Sequence, residues 1–94
     1  MWKVLIEENV LKFLDSLDKH RRELIKENLR LLKASPYPGQ NLGDKKEIKG
    51  TSKSAYRMRI GNYRAFYIIE KDRKTIKITE LMTAESGHKK YGKI

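Results

Sequence analysis

Arg57, Arg59 and Arg64 lie within one short stretch, and their spacing decides what chemistry they can share. Tyr56 to Glu70, YRMRIGNYRAFYIIE, reads as two strands joined by a two-residue turn at Gly61-Asn62. A Gly at the first turn position suits a type II′ hairpin. This register sets Ile60 opposite Tyr63, Arg59 opposite Arg64, Met58 opposite Ala65, Arg57 opposite Phe66 and Tyr56 opposite Tyr67. Directly opposed residues share a face, and faces alternate along each strand. One face therefore collects Tyr56, Met58, Ile60, Tyr63, Ala65, Tyr67 and Ile69, which is a core. The other collects Arg57, Arg59 and Arg64, with Phe66 and Ile68 further along. Like charges directly opposed on a sheet cost roughly 0.2–1 kcal/mol, so three guanidinium groups on one face imply an anion for them to hold. Their planar forks match phosphate oxygens. Outside this ribbon, His88 has the one side chain type that changes charge near neutral pH and can act as general acid or base.

The composition points the same way. The chain has 94 residues, with 22 Lys plus Arg against 12 Asp plus Glu and a formal net charge of +10. From Met1 to Asn28 the signs are mixed. From Lys45 to Arg64 the cations Lys45, Lys46, Lys49, Lys53, Arg57, Arg59 and Arg64 face Glu47 alone. The end, His88-Lys89-Lys90-Tyr91-Gly92-Lys93-Ile94, is basic again. Clustering of this kind is the footprint of a polyanion binder, most often nucleic acid. A surface made basic only for solubility accounts for the sum but not for the clustering. The length supports one domain, residues 1–94, with a single core. The absence of Cys excludes a disulfide framework and a thiolate metal site.

The elements that must position these residues follow from periodicity. Trp2 to Ile6 reads as a short strand. From Asn9 the period changes: Val10, Phe13, Leu14 and Leu17 recur at helical spacing, then Leu24, Ile25, Leu29 and Leu32, with Asp18 a natural N-cap for the second helix. Compactness favours a hairpin of two helices over one long bent helix. Ser35-Pro36-Tyr37-Pro38-Gly39 ends the helices. Gln40 to Ser54 is polar and irregular and carries no assigned element. After the hairpin come a turn at Lys71 to Lys74 and a strand from Thr75 to about Met82; the tail from Thr83 is expected either to fold back or to stay mobile. The fold class is α+β: an N-terminal strand, a two-helix hairpin, then a mainly antiparallel C-terminal sheet with helices on one face and a basic opposite face.

At this level the chain resembles the RelE/ParE superfamily of toxins from type II toxin-antitoxin systems. The resemblance rests on strand-helix-helix at the start, Ser35-Pro36…Gly39, Ile48-Lys49-Gly50, the Y-R-x-R-x-G-x-Y-R-x-x-Y pattern from Tyr56 to Tyr67, and a closing Gly87-His88-Lys89…Tyr91. It implies one of two activities, or a catalytically decayed member that only binds nucleic acid. RelE-like members, the closer branch, are mRNA interferases that cleave message in the ribosome; ParE-like members poison DNA gyrase. It also implies an acidic cognate antitoxin as partner, with ribosome and mRNA as targets of the RelE-like branch.

In the RNase reading the 2′-hydroxyl of RNA attacks phosphorus, which needs a proton acceptor, cations on the phosphorane and an acid for the 5′-oxygen. The resemblance places Arg64, Arg59, Lys89, His88 and Tyr91 in catalysis, and Lys49, Lys53, Arg57 and Phe66 in RNA binding. Lys89 stands where the family usually has Arg after Gly-His, and Tyr91 follows it more closely than in the usual motif. Other readings stay open. Arg57 and Arg59 could instead position a bound chain or meet an antitoxin, Phe66 could stack on a base or touch the antitoxin, and His88 could be a solvated side chain. Glu47 is a remote candidate base. His20, among Lys19, Arg21 and Arg22, reads as surface. Tyr56, Tyr63 and Tyr67 read as core.

No cofactor is expected, since the two histidines are far apart and neither a carboxylate cluster with ligand spacing nor a Gly-rich phosphate loop is visible. With apolar runs of only a few residues and no signal-peptide core after Met1-Trp2-Lys3, no membrane association and a cytoplasmic location are expected.

Overall fold

A computed structural model describes residues 2–39, 43–48 and 55–92. The N-terminal strand β1 (Lys3–Ile6) leads into two short helices, α1 (Glu8–Asp15) and α2 (Lys19–Arg30). What separates them is local hydrogen bonding rather than a helix-breaking residue. Ser16 Oγ donates back to the Phe13 carbonyl at 2.6 Å, and the extended Asp18 accepts from the Arg21 amide at 2.9 Å. A cap of this type stabilises a helix by about 1 kcal/mol. The expected hairpin and its cap are both present. A 3-10 turn at Leu31–Lys33 then ends the helical segment.

The remaining strands are β2 (Asp44–Ile48), β3 (Ala55–Ile60), β4 (Tyr63–Glu70) and β5 (Thr75–Thr83), and a third helix, α3 (Ala84–Tyr91), follows directly. The sheet order is β1-β5-β4-β3-β2. Only β1 and β5 pair in parallel; the other neighbours are antiparallel. The β3–β4 register is the one expected, from Ile60 opposite Tyr63 to Tyr56 opposite Tyr67. Gly61 takes φ +55 while Asn62 does not enter the positive-φ region, as a type II′ turn requires.

The core lies between the sheet and the α1–α2 layer. Val10, Leu14, Ile25, Leu29 and Leu32 from the helical side meet Met58, Ile60, Ala65, Tyr67, Ile76, Ile78 and Leu81 from the sheet. Each such side chain contributes roughly 1.5–3 kcal/mol when fully buried, so this layer carries most of the stability. Tyr56 and Tyr67 stack at 5.5 Å. The Tyr67 hydroxyl donates to the Pro36 carbonyl at 2.7 Å, and burial, then Tyr56, push its ionisation well above the ordinary phenol range.

One element was not anticipated, and the tail takes the first of its two expected courses. β2 falls in the segment left unassigned, because its inward-facing residue is a lysine. Lys45, opposite Met58, is buried and donates to the Ser35 carbonyl and, at 3.3 Å, to Ser35 Oγ. Desolvation pushes its ammonium below the usual lysine value. The tail from Thr83, for its part, folds back as α3. Thr83 caps that helix by accepting from the Ser86 amide at 3.2 Å. α1 and α2 cover the tyrosine face of the sheet, whereas α3 lies against the arginine face through Tyr91.

Candidate anion-binding face

Two rows of directly opposed residues cross the open face of the sheet. One runs Asp44, Arg59, Arg64, Met82 and the other Lys46, Arg57, Phe66, Glu80, each from β2 to β5. Arg57, Arg59 and Arg64 therefore project from the same side of one ribbon. They are held very differently.

Arg57 is only 4% exposed. Its Nη1 donates to the Asp44 backbone carbonyl at 3.2 Å and to Asp44 Oδ1 at 3.1 Å. Arg59 is more open and donates from Nη1 to Asp44 Oδ2 at 3.3 Å. One carboxylate thus spans two arginines. Arg64, 7% exposed, turns toward the hairpin, its Nη1 donating to the Gly61 carbonyl at 2.9 Å and the Tyr63 carbonyl at 2.8 Å. Burial lowers its proton affinity, Arg59 and Arg57 lower it further, and Asp44 opposes them. The Nε atoms of Arg57 and Arg64 are buried without a hydrogen-bond partner. Buried donors in this state are uncommon and costly; these two share the arginine cluster, and a third, Arg22 Nε, lies on α2.

Asp44 was missed by the charge count, which began one residue later at Lys45. Its position is set by β2 pairing and by Gly43, whose φ of +90 turns the chain into the strand. A Cβ at Gly43 would fall 2.5 Å from Met58 Cε, so core packing on one face and the carboxylate on the other meet at adjacent residues.

α3 supplies the other edge of the site. The Tyr91 ring meets Phe66 with centroids 4.7 Å apart, and its hydroxyl donates to Glu80, which also accepts from Lys90. Burial first, then the Glu80 hydrogen bond, raise the Tyr91 ionisation above its ordinary value. Phe66 itself is only 4% exposed, so base stacking on it requires Tyr91 to move. Gly87 and Tyr91 form the side of α3 that faces the sheet, and His88, three residues before Tyr91, lies on the flank with an exposed side chain. Lys89 is exposed and pairs with Glu85 at 3.4 Å. The fold thus places Arg57, Arg59, Arg64 and Phe66 on one face and seats Tyr91 on Phe66, while His88 and Lys89 are exposed on α3. Lys49 and Lys53 lie outside the described residues. Among the described residues, no group of three or more His, Cys, Asp or Glu is placed to hold a metal ion, and no helix is long and apolar enough to cross a membrane.

A two-helix layer on one face of a five-stranded sheet, with clustered arginines on the other, defines a small α+β protein built around an arginine-bearing ribbon. Comparison with known proteins gives this class a family. A family model described as "ParE toxin of type II toxin-antitoxin system, parDE" matches residues 4–86. A Methanocaldococcus jannaschii protein named "Putative toxin RelE1" is 34% identical over 88 residues, spanning 94% of this chain and 96% of that protein. The chain therefore belongs to the ParE/RelE family of type II toxins.

Among solved structures, the archaeal RelE–RelB complex from Pyrococcus horikoshii matches with a TM-score of 0.75 and 32% identity, over 87% of this chain and 93% of that one. The RelB–RelE complex from Methanococcus jannaschii matches with a TM-score of 0.69 and 27% identity, over 87% and 92%. The family match ends at residue 86, short of His88, Lys89 and Tyr91.

Proposed function

We propose that this toxin is a metal-independent, ribosome-dependent endoribonuclease that stops translation by cutting mRNA. The observation that carries this reading is the convergence of Arg57, Arg59 and Arg64 on one face, two of them with buried, unpartnered Nε donors. In the reaction, the 2′-oxygen of RNA attacks the adjacent phosphorus and the bond to the 5′-oxygen breaks, leaving a 2′,3′-cyclic phosphate and a 5′-hydroxyl. The proton of the 2′-hydroxyl passes to a base and another is delivered to the 5′-oxygen. Arg64, already oriented by two carbonyls, and Arg59 stabilise the extra charge on phosphorus. Tyr91, whose phenol is held protonated, suits proton donation better than proton removal. His88 on the α3 rim is the candidate base, and Lys89 adds positive charge there. Arg57, with Lys49, Lys53 and Phe66, is assigned to the bound RNA chain.

The partner in this reading is an acidic antitoxin of the RelB kind, since the relatives named above are solved as RelE–RelB complexes. A cytoplasmic site of action belongs to the same reading. One observation favours a second function: the matching family model is described as a ParE toxin, and a ParE-like protein would bind gyrase without cutting anything. Expression in cells separates them. Translation arrest with cut messages supports the nuclease, whereas failed supercoiling with intact messages supports the gyrase poison. In a ribosome assay Arg64→Ala is expected to abolish cleavage while leaving the circular dichroism spectrum intact; undiminished cutting would remove Arg64 from the site.

A further inference from the structure

We infer that Asp44 is a built-in occupant of the phosphate position between Arg57 and Arg59, a carboxylate that a substrate phosphodiester must displace. This rests on the nuclease reading for its biological meaning, but not for its geometry. A carboxylate presenting one oxygen to each of two guanidinium groups, at 3.1 Å and 3.3 Å, has the arrangement of the two non-bridging oxygens of a phosphodiester. Both contacts are longer than the roughly 2.7–2.9 Å of a strong charge-assisted hydrogen bond. Asp44 bridges both arginines and is optimal for neither.

Three further features fit an occupant that leaves. The Asp44 side chain is 52% exposed, and its residue opens the edge strand β2. Arg57 is also held by the Asp44 backbone carbonyl, which keeps that guanidinium in position when the carboxylate swings away. The buried Nε atoms of Arg57 and Arg64 have no partner while Asp44 is in place, so the resident anion leaves donors over for a larger group that presents more acceptor oxygens. A phosphodiester or phosphate offers such oxygens; a second carboxylate would repeat the same shortfall.

The rival explanation is that Asp44 only neutralises the arginines and keeps them ordered. The two differ in sign. If Asp44 competes, Asp44→Asn, which keeps size and one acceptor oxygen but removes the charge, tightens anion binding. If Asp44 is a brace, the same change loosens the arginines and weakens it. Solvent-exposed ion pairs are worth up to about 1 kcal/mol, so removing the competitor is expected to tighten binding by about two- to fivefold.

The test measures binding of a short 2′-O-methyl RNA oligonucleotide by fluorescence anisotropy at fixed salt, for the full chain and for Asp44→Asn. That probe cannot be cleaved, so its outcome does not depend on whether messages are cut. In parallel, the Nε–Hε signals of Arg57 and Arg64 are followed by ¹⁵N NMR during titration with inorganic phosphate. Expected are tighter binding in the variant and phosphate-dependent movement of both arginine signals at lower phosphate than in the parent. Unchanged or weaker binding, no binding by either form, or signals that ignore phosphate would overturn the inference. If Asp44→Asn fails to fold, Asp44→Ser carries the same comparison.

Discussion

The β3–β4 ribbon has two faces built from alternate residues of the same fifteen-residue stretch, and they are finished in opposite ways. On the helix side, Met58, Ala65 and Tyr67 are fully buried and the one polar group among them, the Tyr67 hydroxyl, has its partner in Pro36. On the open side, Arg57 and Arg64 are almost as deeply buried, yet each keeps an unpartnered Nε, and a single carboxylate serves two guanidinium groups. The helix side is complete in the isolated protein. The arginine side keeps donors that nothing within the described residues satisfies. The packed core and the clustered charge thus lie on opposite faces of one hairpin, so that a register shift of one residue would exchange them.

This contrast can be broken by measurement. The largest effect is expected from Met58→Ala, which should cost about 2–5 kcal/mol in urea unfolding. Its neighbour on the other face, Arg57→Met, should cost about 1 kcal/mol or less, because the Asp44 left behind is open to water and still faces Arg59. Equal losses at the two positions would refute the division of labour.

Tyr67→Phe should cost about 1 kcal/mol near neutral pH through the lost hydrogen bond to Pro36. It should also change the alkaline behaviour. The folded-state ionisation of Tyr67 is raised, so the native state holds this proton when the unfolded chain has lost it. The resulting stabilisation is complete below pH 10 and is lost progressively above it. Unfolding free energies from pH 9 to 12 should fall less steeply in Tyr67→Phe than in the parent.

The smallest effect is expected from Glu80→Gln, which weakens the attachment of Tyr91 and Lys90. Amides of α3 should exchange with solvent about two- to fivefold faster while those of β4 stay unchanged. Faster exchange throughout the sheet would mean that α3 is part of the core rather than an appendage to the open face.

How much could be read beforehand depended on whether a residue's partner was close in sequence. The hairpin was legible because period-two alternation, a Gly-Asn turn and both strands lie together, and its register held at every pair. The α1–α2 hairpin was legible from apolar stripes and from Asp18. β2 was hidden, since DKKEI shows no apolar alternation and its buried member, Lys45, earns burial only from a carbonyl ten residues earlier. α3 was hidden for a similar reason: AESGHKKY contains a glycine and almost no apolar residues, and its one anchor, Tyr91, packs on a phenylalanine in another strand. The arginines announced themselves, but Asp44 did not, because its role depends on cross-strand register with Arg59 and on no local pattern.

The parallel pairing of β1 with β5, Lys3 beside Thr75 through Ile6 beside Ile78, has a consequence for how the toxin is made. Synthesis runs from the N-terminus, so the opening strand waits until β5 has been made before it meets its mate. Until then β4 has one neighbour missing and the platform beneath the arginines is unfinished. Completion of the arginine face is therefore tied to β5, the same strand on which the opening strand docks.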